Sequence, residues 1–386
     1  MEKLKVGIAG IGNMGSSHAR KIFEGKIPDM ELCAVADKKE ERRSWAKECF
    51  GNISVYCDAL DMLKHADIDA AIIAVPHYDH PRLVMSALEN GLHVMCEKPA
   101  GVYTKQVREM NEFAAKQDKT FAMMFNQRTN CVYRKMKEMV EKGDIGEIKR
   151  VNWIITDWYR TQFYYDSGEW RATWAGEGGG VLLNQCPHNL DLLQWICGMP
   201  ESVCAFCHEG KWHDIEVEDD VTAYLEFKNG ATGVFVTTTG DAPGTNRLEI
   251  TGTRGTLVCD GAHSLKYTRL SVDEREYCLT AKEGFKKPDA LPAVEVETDG
   301  MNEQHVGVLK AFAAHILNGA PLVADGCEGI NGLMLSNAMH LSSWLGKKVT
   351  LPVDEELFYS LLSERVAKSQ KKVSSAGAVL DTEGSY

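Results

Sequence analysis

The chain has 386 residues, and 43 Lys and Arg against 55 Asp and Glu give it a formal net charge of −12. Hydrophobic residues make up 44% of it and charged residues 25%, as in globular proteins, and the length allows two domains. The acidic balance predicts no nucleic-acid partner, and no apolar run is long enough to cross a membrane. Because glycines interrupt the N-terminal segment before a signal-peptide core forms, we expect a cytoplasmic protein.

The cysteines indicate reduced thiols rather than disulfides or a metal site. Twelve of them are scattered between Cys33 and Cys327, with no secretion signal. Cys204 and Cys207 form the one CxxC motif, but they fall in a predicted strand, where residues three apart point to opposite faces. We therefore expect no bound metal.

Residues 1–125 alternate short apolar strands with amphipathic helices, the pattern of a parallel sheet built from βαβ units. Strands are predicted at 5–9, 32–36, 70–75, 93–96 and 120–125, and helices at 14–24, 39–49, 81–90 and 105–117. We expect an α/β domain with helices on both faces of this sheet.

Residues 126–370 have a different pattern. A helix is predicted at 132–141, a strand at 148–156, a glycine-rich turn at 176–180 and a helix at 190–196. At least four strand-like runs follow between 203 and 258, separated by turn signals, and they predict a mostly antiparallel sheet. Two helices, at 303–317 and 327–344, complete this domain. The tail at 371–386 is small and polar, and we expect it to be mobile.

A glycine-rich loop follows the first predicted strand and opens a helix. Its sequence is Gly10-Ile11-Gly12-Asn13-Met14-Gly15. Such glycines permit a tight turn and close approach to a pyrophosphate, which the helix N-terminus then binds. Asp37 ends the second strand 22 residues after Gly15, where an acid takes the ribose hydroxyls and repels a 2′-phosphate. The sequence thus predicts NAD in preference to NADP, although Lys38, Lys39, Arg42 and Arg43 weaken that preference.

Glu97-Lys98-Pro99 directly follows the strand predicted at 93–96. Ligands of open parallel sheets bind outside the carboxyl ends of the strands, so this position directs Lys98 toward the cofactor crevice. A surface lysine at a turn is the alternative.

His188 lies at the start of an apolar helix, in the segment Asn184-Gln-Cys-Pro187-His188. Pro187 suits the first turn of a helix, so we expect His188 at the helix N-terminus beside Asn184. The positive end of the helix dipole keeps an imidazole there neutral and able to accept a proton. A purely structural histidine is the alternative.

Together, the glycine loop, Asp37, Glu97-Lys98-Pro99 and the GGG…H-N-L-D-L-L-Q-W segment closely resemble the glucose–fructose oxidoreductase, inositol dehydrogenase and rhizopine-catabolism (Gfo/Idh/MocA) family. The resemblance spans at least residues 4–200. It implies a doubly wound Rossmann domain followed by an α+β domain with a large open sheet. In relatives that sheet builds a dimer or a tetramer, so we expect a homodimer or homotetramer.

The resemblance also implies roles for single residues. Glu97 and Lys98 correspond to a pair at the nicotinamide, with Lys98 reaching the reacting hydroxyl, and His188 corresponds to the catalytic histidine. The further cofactor-side positions are Pro76, His77, His80, Asn126, Trp170 and Arg171. Many members carry an aspartate where this chain has Asn184. Because an amide cannot stabilise an imidazolium by charge, either Lys98 or His188 remains a candidate for the proton acceptor.

The segment at 157–166 mixes aromatic rings with charged groups. Rings suit the apolar faces of a sugar, while carboxylates and guanidinium groups suit its hydroxyls, so Asp157, Tyr159 and Arg160 are predicted substrate contacts. Lys98, Asn184 and His188 are the other predicted substrate contacts. An exposed aromatic loop or an interface strand is the alternative.

The sequence therefore predicts an NAD-dependent dehydrogenase that acts on a sugar, polyol or glycoside. The Asn…His pattern resembles that of levoglucosan and glycoside 3-dehydrogenases. One alternative is a glycosidase that works through a transient 3-keto sugar and recycles its NAD. Another is a non-catalytic sensor of NAD or sugar, against which the intact Lys98 and His188 argue.

Overall fold

The computed structural model describes residues 3–370, and the tail predicted to be mobile, 371–386, lies outside the described residues. The first sheet is parallel, with the strand order β3-β2-β1-β4-β5-β6. Its strands are β1 (Leu4–Ala9), β2 (Met30–Ala36), β3 (Ser54–Tyr56), β4 (Ala70–Ile73), β5 (His93–Cys96) and β6 (Phe121–Met123). This is the order of a dinucleotide-binding Rossmann sheet, so the predicted fold of this part of the chain is confirmed.

Helices cover both faces of the parallel sheet. They are α1 (Asn13–Phe23), α2 (Glu40–Phe50), α3 (Ala59–His65), α4 (His80–Glu89) and α5 (Thr104–Ala114). All four residues of β4 are buried, and they divide between two cores: Ile72 packs in the core that contains Val6 and Ile8, while Ile73 belongs to the other. Burial on both faces explains why β4 reads as an unbroken apolar run.

The second sheet has nine strands in the order β14-β13-β12-β11-β7-β10-β9-β8-β15. Its strands are β7 (Ile148–Ile155), β8 (Ser202–Glu209), β9 (Glu218–Glu226), β10 (Thr232–Thr238), β11 (Asn246–Gly252), β12 (Gly255–Asp260), β13 (Ser264–Arg269), β14 (Val294–Glu295) and β15 (Val349–Thr350). Among the described strands of this second sheet, only β7 and β10 pair in parallel, which confirms the prediction of a mostly antiparallel sheet.

Seven helices accompany the second sheet within residues 126–370. They are α6 (Cys131–Glu141), α7 (Gln162–Asp166), α8 (Pro187–Cys197), α9 (Glu274–Thr280), α10 (Gln304–Asn318), α11 (Gly329–Leu345) and α12 (Glu355–Lys368). Strand β9 shows why one face of the sheet is buried and the other is not. Val221, Ala223 and Leu225 are buried, whereas Thr222 and Tyr224 between them are exposed, as the two-residue period of a strand requires.

The two parts of the chain share a core. Val308, Leu309 and Phe312 of α10 pack with Val6 and Ile8 of β1, although some 300 residues of sequence separate them. The sequence boundary placed at residue 125 stays a prediction, and α10 adds its apolar face to the first core in space.

A buried arginine also joins the two parts. Arg128 lies in a 3₁₀ turn, Asn126–Thr129, just after β6, and its guanidinium donates two hydrogen bonds to Asp191 of α8, at 2.7 and 2.8 Å. A third bond reaches Glu328 at 2.8 Å. Such a paired, fully hydrogen-bonded charge fixes geometry, and here it fixes α8 against the end of the parallel sheet.

Candidate active site

The glycine loop leaves an open cradle at the N-terminus of α1. A Cβ atom at Gly10, where φ is +85°, would lie 2.7 Å from the Ala74 carbonyl oxygen, and one at Gly15 would lie 1.8 Å from that of Gly10. At Gly12 a Cβ would meet nothing within 4 Å, and no side chain caps the helix there. The N-terminus of α1, which begins at Asn13, therefore borders open space that suits a pyrophosphate.

Asp37 follows β2 and borders this loop. Its carboxylate accepts hydrogen bonds from the backbone N–H groups of Ile11, at 3.0 Å, and Lys39, at 2.9 Å. The Arg42 guanidinium donates to the Ile11 carbonyl at 2.8 Å. Asp37, the acid predicted to bind the ribose, thus lies next to the glycine loop. The Arg42 guanidinium contacts the same residue of that loop, Ile11, through its carbonyl.

The loop after β4 carries Pro76, His77 and His80. The two histidines are buried, which lowers the pKa of both. Each ring nitrogen of His80 lies 2.7 Å from a carbonyl oxygen, of Val75 on one side and of Pro99 on the other. A neutral imidazole has one N–H group, so His80 donates to one of these carbonyls at a time and ties the loop after β4 to the loop after β5.

Glu97 follows β5 and is fully engaged within the protein. One carboxylate oxygen lies 2.6 Å from Nε2 of His18, and the other accepts the backbone N–H of Lys98 at 3.2 Å. Burial raises the pKa of Glu97, but the hydrogen bond and charge of His18 outweigh it and hold the pKa at about 2. Sequence reasoning missed His18, whose only signal is a polar residue on the inner face of α1.

Lys98 reaches from β5 to the second part of the chain. Its Nζ donates a 2.8 Å hydrogen bond to the backbone carbonyl of Asn184. Burial lowers the pKa of Lys98, and the nearby carboxylates of Glu97 and Glu177 oppose that effect.

His188 lies in the first turn of α8 and is 5% exposed. Neither ring nitrogen has a hydrogen-bond partner in the part of the chain described. Burial, and next the positive charge of Lys98, lowers the pKa of His188 well below its ordinary value, so the imidazole is neutral. Buried polar atoms without partners are rare in folded proteins, and both nitrogens are therefore free for a ligand.

Asn126 shows the same feature at the end of β6. Its amide nitrogen donates to the side-chain oxygen of Gln304, while its own side-chain oxygen is buried without a partner among the described residues. This oxygen is a free acceptor beside the parallel sheet.

Asn184 bonds to an acid that sequence reasoning missed. Its side-chain amide donates to the carboxylate of Glu177, and the Tyr164 hydroxyl donates to its side-chain oxygen at 3.4 Å. The sequence placed Asn184 beside His188, but these two bonds direct its amide to Glu177 and Tyr164. The only sequence signal for Glu177 was a single acid within a run of glycines.

The aromatic segment forms a ladder of rings and guanidinium groups. Arg160 lies over Trp158 at 5.6 Å and over Tyr164 at 5.2 Å, and Arg171 lies over Tyr164 at 4.6 Å and over Trp170 at 4.8 Å. Trp170 in turn meets the ring of His77 edge-on at 5.5 Å between ring centroids, which places Trp170 beside the loop after β4. The other two predicted substrate contacts, Asp157 and Tyr159, are exposed.

Within residues 3–370, no group of three or more His, Cys, Asp or Glu side chains is arranged to hold a metal ion. No helix in the same range is long and apolar enough to cross a membrane.

Two family descriptions match the chain. "Oxidoreductase family, NAD-binding Rossmann fold" covers residues 4–125, and "GFO/IDH/MocA C-terminal domain" covers residues 133–258. The first includes the glycine loop and Asp37, and it confirms the predicted cofactor, NAD.

Named relatives match nearly the whole chain. The myo-inositol 2-dehydrogenase of Thermotoga maritima is 26% identical over 91% of this chain and 99% of its own. The D-glucoside 3-dehydrogenase of Escherichia coli is 26% identical over 90% of this chain and 97% of its own. A solved structure of the WlbA dehydrogenase from Bordetella pertussis, in complex with NADH and UDP-GlcNAcA, is 26% identical with a TM-score of 0.76, covering 92% of this chain and 100% of that one.

We expect Asp37→Ser to weaken NADH binding and to narrow the preference for NADH over NADPH, because serine does not repel a 2′-phosphate. Fluorescence titration with each cofactor, without substrate, measures both effects. Asp61→Ser, an exposed change on α3, is the control and should alter neither. A clear preference of the unmodified protein for NADPH would show that Arg42 and its basic neighbours outweigh Asp37.

Proposed function

This chain belongs to the GFO/IDH/MocA family of oxidoreductases, and from that premise we propose that it oxidises a hydroxyl group of a sugar, polyol or glycoside with NAD⁺. The resemblance drawn from the sequence motifs is thereby confirmed. The names of the relatives support this substrate class, and the D-glucoside 3-dehydrogenase supports oxidation at C3 of a pyranoside. The observation that carries the proposal is His188, a neutral buried imidazole with two unpartnered nitrogens beside the charge of Lys98.

Residues of the first sheet would hold the cofactor. NAD⁺ supplies the hydride acceptor when bound. Backbone N–H groups at the start of α1 would bind its pyrophosphate, and the Asp37 carboxylate would accept hydrogen bonds from the ribose hydroxyls. The loops after β4 and β5, the side-chain oxygen of Asn126, and the side chains of Trp170 and Arg171 would border its nicotinamide end.

His188 and Lys98 have different roles when the substrate hydroxyl loses its proton. His188 accepts the hydroxyl proton, because a buried neutral imidazole has a free ring nitrogen for it. Lys98 acts as an ammonium: one N–H group donates to the Asn184 carbonyl, and the others donate to the substrate oxygen. A cation held there stabilises the alkoxide as the proton leaves.

The ladder of rings and guanidinium groups at Trp158, Arg160, Tyr164, Trp170 and Arg171 would contact the rest of the substrate. Rings stack on the apolar face of a sugar, and the guanidinium groups donate to its hydroxyls. Asp157, Tyr159 and Asn184 are further candidate contacts on the same side.

A panel of sugars, polyols and glycosides, monitored by NADH absorbance, tests the function. We expect NADH to accumulate with at least one pyranoside or polyol. Substrate consumption without net NADH would instead indicate the glycosidase that recycles its cofactor. Binding of NADH with no turnover of any compound would indicate a sensor.

With an active substrate, we expect His188→Ala to lower kcat by roughly 10²–10⁴-fold, the usual cost of losing an acid–base group, with NADH affinity little changed. His263→Ala, exposed in the turn after β12, is the matched control. The pKa of His188 lies well below 6.5, so kcat/KM of the unmodified enzyme should hold steady down to pH 6.5 and fall only below it. A kcat/KM that already falls across the alkaline range as pH is lowered would make deprotonated Lys98 the base.

We further propose that the protein is a homodimer or homotetramer built on the second sheet. The open face of this sheet carries Phe206, Tyr224 and Ile154, which are 64%, 41% and 39% exposed. The register aligns Phe206 with Thr222, Thr222 with Val236, and Val236 with Ile154 in one row across four strands. A second subunit would bury the exposed apolar side chains of this face.

Light scattering at micromolar concentration should give at least twice the chain mass. We expect the double change Phe206→Asp and Tyr224→Asp to lower the mass, because two charges on the face oppose its burial. Phe285→Asp, at a fully exposed position outside this face, should leave the mass unchanged. A monomeric unmodified protein would contradict the proposed assembly.

The cytoplasm is the proposed location. All twelve cysteines are free thiols, including exposed ones such as Cys49 and Cys278, which supports a reducing compartment.

A further inference from the structure

We propose that Glu177 is a positioning residue that holds Asn184 in place and supplies the negative charge that keeps Lys98 protonated. This inference rests on the proposed function, because it assigns Lys98 the ammonium form there. Glu177 is 2% exposed and lies in the glycine-rich turn before α8, where the sequence analysis assigned it no role.

One residue links the acid to the lysine. The Glu177 carboxylate accepts the backbone N–H of Ala172 at 2.6 Å with one oxygen, and the side-chain amide of Asn184 with the other. The backbone carbonyl of the same Asn184 accepts the hydrogen bond from Lys98 Nζ. Glu177 therefore holds Asn184, whose backbone carbonyl accepts the hydrogen bond from the Lys98 ammonium.

The glycines on either side of Glu177 let its turn pack closely against the rest of the protein. A Cβ atom at Gly176 would lie 2.4 Å from the Trp170 carbonyl oxygen, and one at Gly178 would lie 2.3 Å from a methyl group of Val102. Side chains at these positions would clash, so the close packing around the Glu177 backbone requires glycine on both sides. The backbone carbonyl of Glu177 also lies 3.1 Å from Nδ1 of His77, and this contact joins the turn to the loop after β4.

The charges around Lys98 show what the acid contributes. The titratable groups around Lys98 are the carboxylates of Glu97 and Glu177, the guanidinium groups of Arg160 and Arg171, the imidazoles of His77, His188 and His305, and the thiol of Cys186. Burial and the two arginines favour a neutral amine. The two carboxylates favour the ammonium, and Glu97 is already bonded to His18.

Glu177 itself is sensitive to its partners. Burial raises its pKa, while the charge of Arg171, the Ala172 N–H and the Asn184 amide oppose that effect. Tyr165 and Glu218 are the other titratable groups nearby. An amide at position 184 thus helps to keep Glu177 ionised. A carboxylate there would share a proton with it.

The test compares the titration of Lys98 in Glu177→Gln and in the unmodified protein. Reductive ¹³C-methylation reports this titration by NMR without cofactor or substrate, and Lys98→Arg identifies the signal. We expect the pKa of Lys98 to fall in Glu177→Gln, because the replacement keeps the shape and removes the charge. The double change Glu177→Gln and Asn184→Asp, which exchanges acid and amide, should restore it, and Glu169→Gln, exposed in the same segment, should leave it unchanged.

Activity provides the second readout. The alkaline limb of kcat/KM, where the ammonium is lost, should move to lower pH in Glu177→Gln by the same amount as the NMR titration. On the alkaline side of the limb, kcat/KM should fall about tenfold for each whole pH number that the limb moves.

An unchanged Lys98 titration in a folded, NADH-binding Glu177→Gln protein overturns the proposal. If that variant does not fold, Glu177→Met replaces it: this side chain has a similar length and no charge, so the pKa of Lys98 should again fall. No fall there overturns the proposal equally. An unmodified protein inactive on every compound rejects the proposed function alone, since the NMR titration still decides the role of Glu177.

Discussion

The hydrogen bond from Lys98 to the Asn184 carbonyl is the contact on which the proposed site depends. It spans 86 residues of sequence and joins the end of a parallel strand to the turn before α8. Its geometry requires both sides to be fixed. Glu97 is bonded to His18 on the first side, and Arg128 holds α8 through Asp191 on the second. Each of these anchors is buried, where a charged hydrogen bond is strong and a missing partner is costly.

Several buried polar atoms near this contact have no hydrogen-bond partner among the described residues. Arg128, Glu97 and Asn184 all have partners, whereas both nitrogens of His188 and the side-chain oxygen of Asn126 have none among the described residues. Nδ1 of His18 and the side-chain oxygen of Gln185 are likewise buried without a partner among these residues. Free acceptors beside the carboxyl ends of β5 and β6 are what a hydroxyl substrate and a nicotinamide amide require.

Sequence patterns predicted those features that depend on residues close together in the chain. The glycine loop and Asp37 belong to one βαβ unit, and β5 was predicted at its observed bounds, His93–Cys96. Strand β3 was missed because three half-exposed residues carry no pattern, and α12 was missed as well. Contacts across long stretches of chain leave no trace in a single sequence. The bond between His18 and Glu97 spans 79 residues. The sequence of α10 likewise contains no pattern that predicts its packing against β1.

The exchange of acid for amide at position 184 shows why a site residue cannot be interpreted alone. By itself, Asn184 indicates a site that has lost a charge. In the structure its amide donates to Glu177, so the charge lies seven residues earlier in the chain and on the other side of the same hydrogen bond. A carboxylate at both positions would place a second acid in contact with Glu177, which is 2% exposed, and two carboxyl groups so close would share a proton. Asn184 and Glu177 are therefore a matched pair, and their combined charge favours the ammonium of Lys98 rather than an imidazolium at His188.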